Sequence, residues 1–212
     1  MKDSALLQQI GQKDIDKREI AERIADNPAL VVEVLGGLDA KKASVKYGCA
    51  KVLRIISEKR PEVLYRHIDS FIELLDSDSN IMKWDGIHVI GNLAVVDTEN
   101  KIDDILDKYL EPIPGPILIT AANVIGGAAK IASAKPYLAE RIAAEILKVE
   151  HAEYRTAECR NVALGIAIDS FDHFFDHIEK RQPVIELIRK QLDNTRSSTR
   201  KRAEEVLRKR QC

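Results

Sequence analysis

Two histidines, His173 and His177, have the spacing of a helical metal-binding pair. Four residues apart on a helix, their side chains would lie on one face and could chelate Zn²⁺. However, Phe174 follows His173 where a metalloprotease motif carries glutamate, and no third ligand is fixed by spacing. The sequence therefore favours two surface histidines over a metal site, and it indicates no bound cofactor.

The three cysteines could supply a nucleophile, but their positions argue against it. Cys49 and Cys159 fall among apolar residues at helical spacing, where free cysteine behaves as a small buried hydrophobe. No histidine is placed by sequence to activate either thiol. With Cys212 they are odd in number and far apart, which predicts neither a disulfide framework nor a zinc knuckle. We predict no catalytic residue and a reduced, cytoplasmic protein.

Positive charge is concentrated in residues 196–212. This segment holds seven Lys or Arg residues and two Glu, a net charge of +5, which leaves −6 for the rest of the chain. Such a segment could contact nucleic acid or an acidic partner. It could also be the polar cap of a terminal helix, because cations are favoured near a helix C-terminus. We predict the cap.

The overall composition argues against two classes of partner. The 212 residues include 33 Lys+Arg and 34 Asp+Glu, a net charge of −1, which does not suit a protein that mainly binds nucleic acid or an anionic membrane. The longest weakly polar stretch, 113–134, is interrupted by two prolines, Asn123 and Lys130. It predicts a buried helix rather than a membrane span.

The elements that must position these residues form an internal repeat. Pairs of apolar helices recur, and the second helix of each pair is predicted to begin near residues 45, 82, 117, 155 and 199. Positions 1, 5, 8, 9 and 12 of each second helix are mostly apolar or small, and at about 100° per residue they lie on one face. No run alternates with a period of two residues, so no strand is predicted.

The repeat resembles the HEAT-repeat group of the armadillo-like superfamily, with similarity to the helical trunks of adaptin-type scaffolds. The likeness is carried by prolines that open first helices and by the second-helix sequences VKYGCAKVL, MKWDGIHVIGNL, ILITAANVIGG and TRKRAEEVL. It implies an all-α, right-handed α-α superhelical solenoid of about five HEAT-like hairpins. The predicted arrangement is one repeat domain over 1–212, with a degenerate unit 1–26, repeats 27–60, 61–97, 98–134 and 135–172, and a basic cap repeat 173–212.

The exposed side of the second helices is the candidate binding surface, because in this family that side tends to line the concave groove. Positions 3, 7, 10 and 14 lie opposite the apolar face, and they also include Leu164 and Ile168 in the fourth copy. The candidate partner-binding residues are Tyr47, Lys51, Arg54, Trp84, His88, Asn123 and Asn161. Exposed aromatics beside cations are typical of interface hot spots. Alternatively, Trp84 packs against a neighbouring repeat or the turn at 76–80.

These patterns predict a non-enzymatic scaffold that binds a protein or peptide partner in its groove, and they leave open an oligomer. The alternative is nucleic-acid binding or DNA repair, because HEAT-like glycosylases for alkylated bases use Trp, Asp and Arg. The candidates for that role would be Trp84, Asp85 and Arg160. Such a groove should be basic and rich in aromatics, whereas this chain has one Trp and a net charge of −1. The sequence favours the scaffold and does not settle enzymatic activity.

Overall fold

The computed structural model describes residues 4–211, and every regular element in that range is helical. The α-helices are α1 (Ala5–Ile10), α2 (Lys17–Asp26), α3 (Val31–Gly36), α4 (Ala43–Lys59), α5 (Pro61–Leu64), α6 (Ile68–Glu73), α7 (Asn80–Leu93), α8 (Lys101–Asp104), α9 (Leu106–Leu110), α10 (Leu118–Ala134), α11 (Ala139–Leu147), α12 (Ala157–Phe174), α13 (Gln182–Lys190) and α14 (Ser197–Arg210). The described residues contain no strand, which confirms the predicted all-α class. Among them, no helix has both the length and the apolar character needed to cross a membrane.

After α2, short and long helices alternate. The short first helices (α3, α5 with α6, α8 with α9, α11 and α13) are often extended by 3-10 turns. Proline begins the first-helix segments at Pro28, Pro61 and Pro136, where its fixed φ suits the first turn and its missing N–H is not needed. The long second helices are α4, α7, α10, α12 and α14. The described helices therefore form five hairpins, as predicted.

The chain divides into two compact units, Met1–Glu99 and Asn100–Cys212. In unit 1, α4 packs against both α2 and α7, and their apolar faces bury Ile24, Leu53 and Val89. In unit 2, α12 packs against both α10 and α14. The cores are built largely from aliphatic side chains and alanine, as the low aromatic content requires.

Close helix packing in unit 1 depends on a glycine of α7. A Cβ added at Gly86 would lie 2.8 Å from the Leu74 Cβ and 3.0 Å from the Phe71 carbonyl oxygen. A larger residue would therefore force α6 and α7 apart. Gly86 occupies the fifth position of the second-helix pattern, one of the positions described above as apolar or small.

The structure corrects the register predicted for the third and fourth second helices. The second helices begin at residues 43, 80, 118, 157 and 197, so their spacing rises evenly from 37 to 40 residues. Relative to the other three, the predicted starts near 117 and 155 lie about one turn too early. Leu164 and Ile168 were expected on the exposed side, but they are only 5% and 0% exposed. Cys159, expected in the core, is half-buried in the first turn of α12.

Candidate functional site

Five of the predicted site residues lie on two packed helices of unit 1. Tyr47, Lys51 and Arg54 occupy successive turns of α4, and Trp84 and His88 occupy successive turns of α7. We call these five residues the α4–α7 face. Tyr47 is 38% exposed and Lys51 is exposed, whereas Arg54, Trp84 and His88 are half-buried. Trp84 is therefore neither a core residue nor a fully solvated one.

An ion pair joins the two helices beside this face. The Nη1 atom of Arg54 lies 3.5 Å from the Oδ1 atom of Asp85, whose side chain is 13% exposed. Burial raises the pKa of the Asp85 carboxyl group, and the neighbouring Arg54 guanidinium partly offsets that effect. Asp85 is thus an internal partner of Arg54. Of the residues named as candidates for base recognition, Asp85 is therefore engaged within unit 1, and Arg160 is an exposed residue of unit 2.

A second polar connection lies at the same junction. The hydroxyl group of Ser57 donates to the Arg54 carbonyl oxygen at 2.7 Å, and Asn92 Nδ2 donates to Ser57 Oγ at 2.9 Å. Because Asn92 belongs to α7, these hydrogen bonds fix α4 relative to α7. Neither connection between α4 and α7 is predictable from the sequence, because both depend on the crossing of two helices rather than on spacing within one.

Lysines are concentrated around Tyr47, and the site predicted from the sequence includes only one of them, Lys51. Lys41 and Lys42 precede α4, and Lys46 and Lys51 lie within it. We call these four residues the α4 lysine cluster. Within residues 4–211, no carboxylate forms an ion pair with any of them. The signal in the sequence is the segment 40–57, which has five Lys or Arg residues and no Asp or Glu.

The two remaining predicted site residues lie in unit 2 and are positioned differently. Asn123 is half-buried on α10. Asn161 on α12 donates from Nδ2 to Thr195 Oγ1 at 2.9 Å and accepts from Asn194 Nδ2 at 3.1 Å. Its backbone carbonyl also accepts from Thr199 Oγ1 at 2.8 Å. Asn161 therefore anchors the turn that precedes α14, and its side-chain amide is already engaged.

Most cations of the basic C-terminal segment bind acceptors within unit 2. Arg202 Nε lies 3.1 Å from Asp169, Lys209 Nζ 2.6 Å from Asp172, and Arg210 Nε 2.7 Å from Asp172. Arg196 pairs with Glu158, and Arg200 donates to the Asn194 carbonyl oxygen. Burial opposes ionisation of Asp172, but hydrogen bonds from Lys209 and Arg210 outweigh it and lower the pKa. These contacts support the interpretation of the segment as a cap.

Unit 2 also has two surface cavities. A charged cavity of about 310 Å³ lies between α12 and α14 and is lined by Asp169, Arg202 and Glu205 among others. A larger cleft of about 590 Å³ lies between α11 and α13, with an alanine and proline wall and the ring of Tyr137, which is 64% exposed. His173 and His177 are exposed near the end of α12. Within residues 4–211, no group of three or more His, Cys, Asp or Glu residues is arranged to hold a metal ion.

Comparison with known structures identifies the fold. The designed armadillo repeat protein YIII(Dq)4CqI superposes with a TM-score of 0.62 at 15% identity, over 96% of this chain and 89% of that one. A second designed armadillo repeat protein, in complex with the peptide (KR)4, gives 0.64 at 16% identity, over 95% and 89%. A computationally designed armadillo repeat protein for modular peptide recognition gives 0.63 at 15%, over 96% and 89%. No protein-family model and no curated protein matches the chain. The chain has an armadillo/HEAT-like helical-repeat fold.

Proposed function

We propose that this protein is a non-enzymatic scaffold and that its α4–α7 face binds a peptide segment of a protein partner. The observation that carries the proposal is that the exposed Tyr47 and the half-buried Trp84 lie on packed second helices, with the cation Lys51 one turn after Tyr47. Two structural neighbours of this fold are a repeat protein in complex with a peptide and one designed for peptide recognition. We further propose a cytoplasmic location, because Cys49 and Cys159 are free thiols.

The physical argument rests on how aromatic residues contribute to binding. A half-buried indole ring has both a fixed position and remaining exposed area, so a partner can cover it without a large loss of conformational entropy. Tyr47 supplies a second ring and a hydroxyl group, and Lys51 supplies a cation one turn further along α4. Asp85 holds the Arg54 guanidinium group, so the surface is partly preorganised before a partner arrives.

The geometry gives less support to nucleic-acid binding through the C-terminus. The cations Arg196, Lys209 and Arg210 are already paired with carboxylates of unit 2. A phosphate group would have to replace those carboxylates, which reduces the gain from counterion release.

A displayed library of random peptides, selected against the intact protein, tests the proposal. Selected peptides should lose about 2 kcal/mol or more of binding free energy on Trp84→Ala, as expected for an aromatic hot spot. Tyr137→Ala is the matched control, because it removes an exposed aromatic ring beside α11 rather than one on the α4–α7 face. Thermal melts should show that Trp84→Ala destabilises the fold by about 1–2 kcal/mol, less than the loss of a fully buried ring.

Two outcomes would contradict this assignment. Peptides that bind the Trp84→Ala variant normally but lose affinity for the Tyr137→Ala variant would move the site to the α11–α13 cleft. Failure to select any peptide, with both variants fully folded, would leave the α4–α7 face without a binding role.

A further inference from the structure

The α4 lysine cluster is a group of four cations without a carboxylate partner among the described residues. Residues 40–57 contain Lys41, Lys42, Lys46, Lys51 and Arg54 and no acidic residue. Only Arg54 has a carboxylate partner among the described residues, and that partner is Asp85. Two cations that follow in the chain do have carboxylate partners: Lys59 lies 2.9 Å from Glu22, and Arg60 lies 2.6 Å from Glu62.

This arrangement is unfavourable for the folded protein on its own. Lys42 and Lys46 are one helical turn apart, where like charges repel. The first turn of α4 has no acidic residue, and Lys42 at the N-cap position provides no side-chain hydrogen bond to the helix. Both features lie at the positive end of the helix dipole, where added cations destabilise. A bound anionic group would be attracted both to the lysines and to the positive end of the helix dipole, and this attraction would offset the repulsion.

We infer that the partner segment is acidic and that the α4 lysine cluster binds its carboxylates around Tyr47. This inference rests on the proposed function, since it names the chemistry of the partner at the same face. Lys46 directly precedes Tyr47 and Lys51 follows it by one turn, so the ring, which is 38% exposed, has a cation on either side along the helix. A peptide with an apolar or aromatic residue between two acidic residues matches the order of Lys46, Tyr47 and Lys51 along α4.

The dimensions of the cluster fit a short peptide. Lys42 and Lys51 are nine residues apart in the sequence. At about 1.5 Å of rise per residue they are separated by about 14 Å along the axis of α4. An extended segment covers that distance with about four residues at about 3.3 Å each. At about 100° per residue, the nine residues also place Lys42 and Lys51 on opposite sides of α4, so the segment must cross the start of the helix to reach both lysines.

A protein segment fits this surface better than a nucleic acid. Asp39 and Glu58 border the cationic segment, and Asp78 takes the place of Lys41 in the equivalent turn before α7. A DNA duplex carries a negative charge about every 1.7 Å along its axis, so its phosphates would also approach these carboxylates. A peptide with a few carboxylates can place them opposite lysines alone. A basic peptide such as (KR)4 should be repelled, because its cations would lie against the lysines.

Fluorescence anisotropy with the 212-residue chain tests the inference. The probes are a labelled oligoglutamate peptide containing a central tyrosine, the peptide (KR)4 with the same label, and a labelled DNA duplex. We expect the acidic peptide to bind most tightly, and to bind less tightly at an ionic strength of about 0.15 M than at about 0.05 M.

The variant K42E/K51E should weaken binding of the acidic peptide by at least about tenfold. Its matched control is K201E/R208E, which makes the same change in net charge at exposed cations of α14 and should change binding by less than about twofold. Circular dichroism checks that both variants fold, and an acidic residue near the start of α4 favours that helix.

Equal losses in both variants would show a non-specific charge effect and overturn the inference. Tighter binding of (KR)4 or of the duplex would also overturn it. Library-selected peptides that require Trp84 but tolerate K42E/K51E would refute the acidic partner and leave the proposed function intact. Acidic peptides that require the lysines but tolerate Trp84→Ala would contradict the role of Trp84 and keep the lysine site.

Discussion

Replacement of Arg54 by alanine should destabilise the protein at neutral pH by about 1–2 kcal/mol, because it leaves a buried carboxylate without its cation. The Asp85 side chain is 13% exposed and that of Arg54 is 38% exposed, with 3.5 Å between Oδ1 and Nη1. Removing one partner of a fully buried pair costs about 3–5 kcal/mol. Arg54 is partly exposed and the two atoms are far apart for an ion pair, so their attraction is weaker. The cost of removing Arg54 should therefore be smaller than for a fully buried pair.

The pH dependence of this effect has a definite sign. Burial raises the pKa of Asp85 above its ordinary value, and Arg54 lowers it, so removing Arg54 raises the pKa further. When the folded-state pKa is raised, the ionised carboxylate weakens the fold, and this loss disappears as the pH falls through the folded pKa. The deficit of Arg54→Ala should therefore be largest near pH 7 and should shrink as the pH falls towards about 4, near the ordinary pKa of aspartate.

Urea unfolding of four proteins at both pH values measures the pair. They are the wild type, Arg54→Ala, Asp85→Asn and the double variant, which together form a double-mutant cycle. Asp85→Asn should be at least as stable as the wild type at pH 7, and Arg54→Ala should cost little in the Asp85→Asn background. A deficit of Arg54→Ala that is the same at both pH values, or unchanged in the double variant, would refute the electrostatic explanation and assign the loss to packing of the Arg54 stem.

Two further predictions concern packing and the C-terminal cap. Gly86→Ala should destabilise the fold by about 1–3 kcal/mol through overpacking against α6. Gly126→Ala on α10, where an added Cβ meets no atom within 4 Å, should stabilise the fold by up to about 1 kcal/mol. Thermal melts in which both substitutions shift the midpoint in the same direction would contradict this. Asp172→Asn should cost about 1–2 kcal/mol at pH 7, because the lowered pKa of Asp172 means that its ion pairs stabilise the fold at neutral pH and lose that effect in acid. A loss that persists below the folded pKa would point to packing instead.

The helices could be predicted from the sequence because their signals are local. Prolines mark first helices, and the apolar positions of α4 and α7 recur with a period near 3.6 residues. The register failed in α10 because this helix is rich in Ala, Ile and Gly on several faces, so the apolar pattern has no sharp polar boundary. Ile117, the first position of the predicted apolar face, is 47% exposed, whereas Ile119, at position 3 on the predicted exposed side, is 53% exposed. A slip of one turn keeps most of a helical face, which hides the error.

The candidate site was predictable only in part. Tyr47, Lys51 and Trp84 follow from helical periodicity, because a residue opposite the apolar face must lie towards solvent or a neighbour. The Arg54–Asp85 pair and the anchoring of Asn161 by Asn194 and Thr195 join different helices or a helix and a distant turn. Contacts of this kind depend on the angle at which two helices cross and on which helix each turn packs against. Neither can be deduced from the spacing of residues within one helix.

The contrast between α14 and α4 indicates which charges of this protein can contribute to binding. On α14, Arg202, Lys209 and Arg210 are neutralised by carboxylates of α12, so a partner that bound them would first have to break those ion pairs. The α4 lysines have no such competitor among the described residues, and the attraction to an anionic partner is opposed only by loss of hydration and side-chain freedom. A count of Lys and Arg residues would place the binding surface at the basic C-terminus. Pairing each cation with its neighbours favours instead the proposed site around Tyr47, at the start of α4.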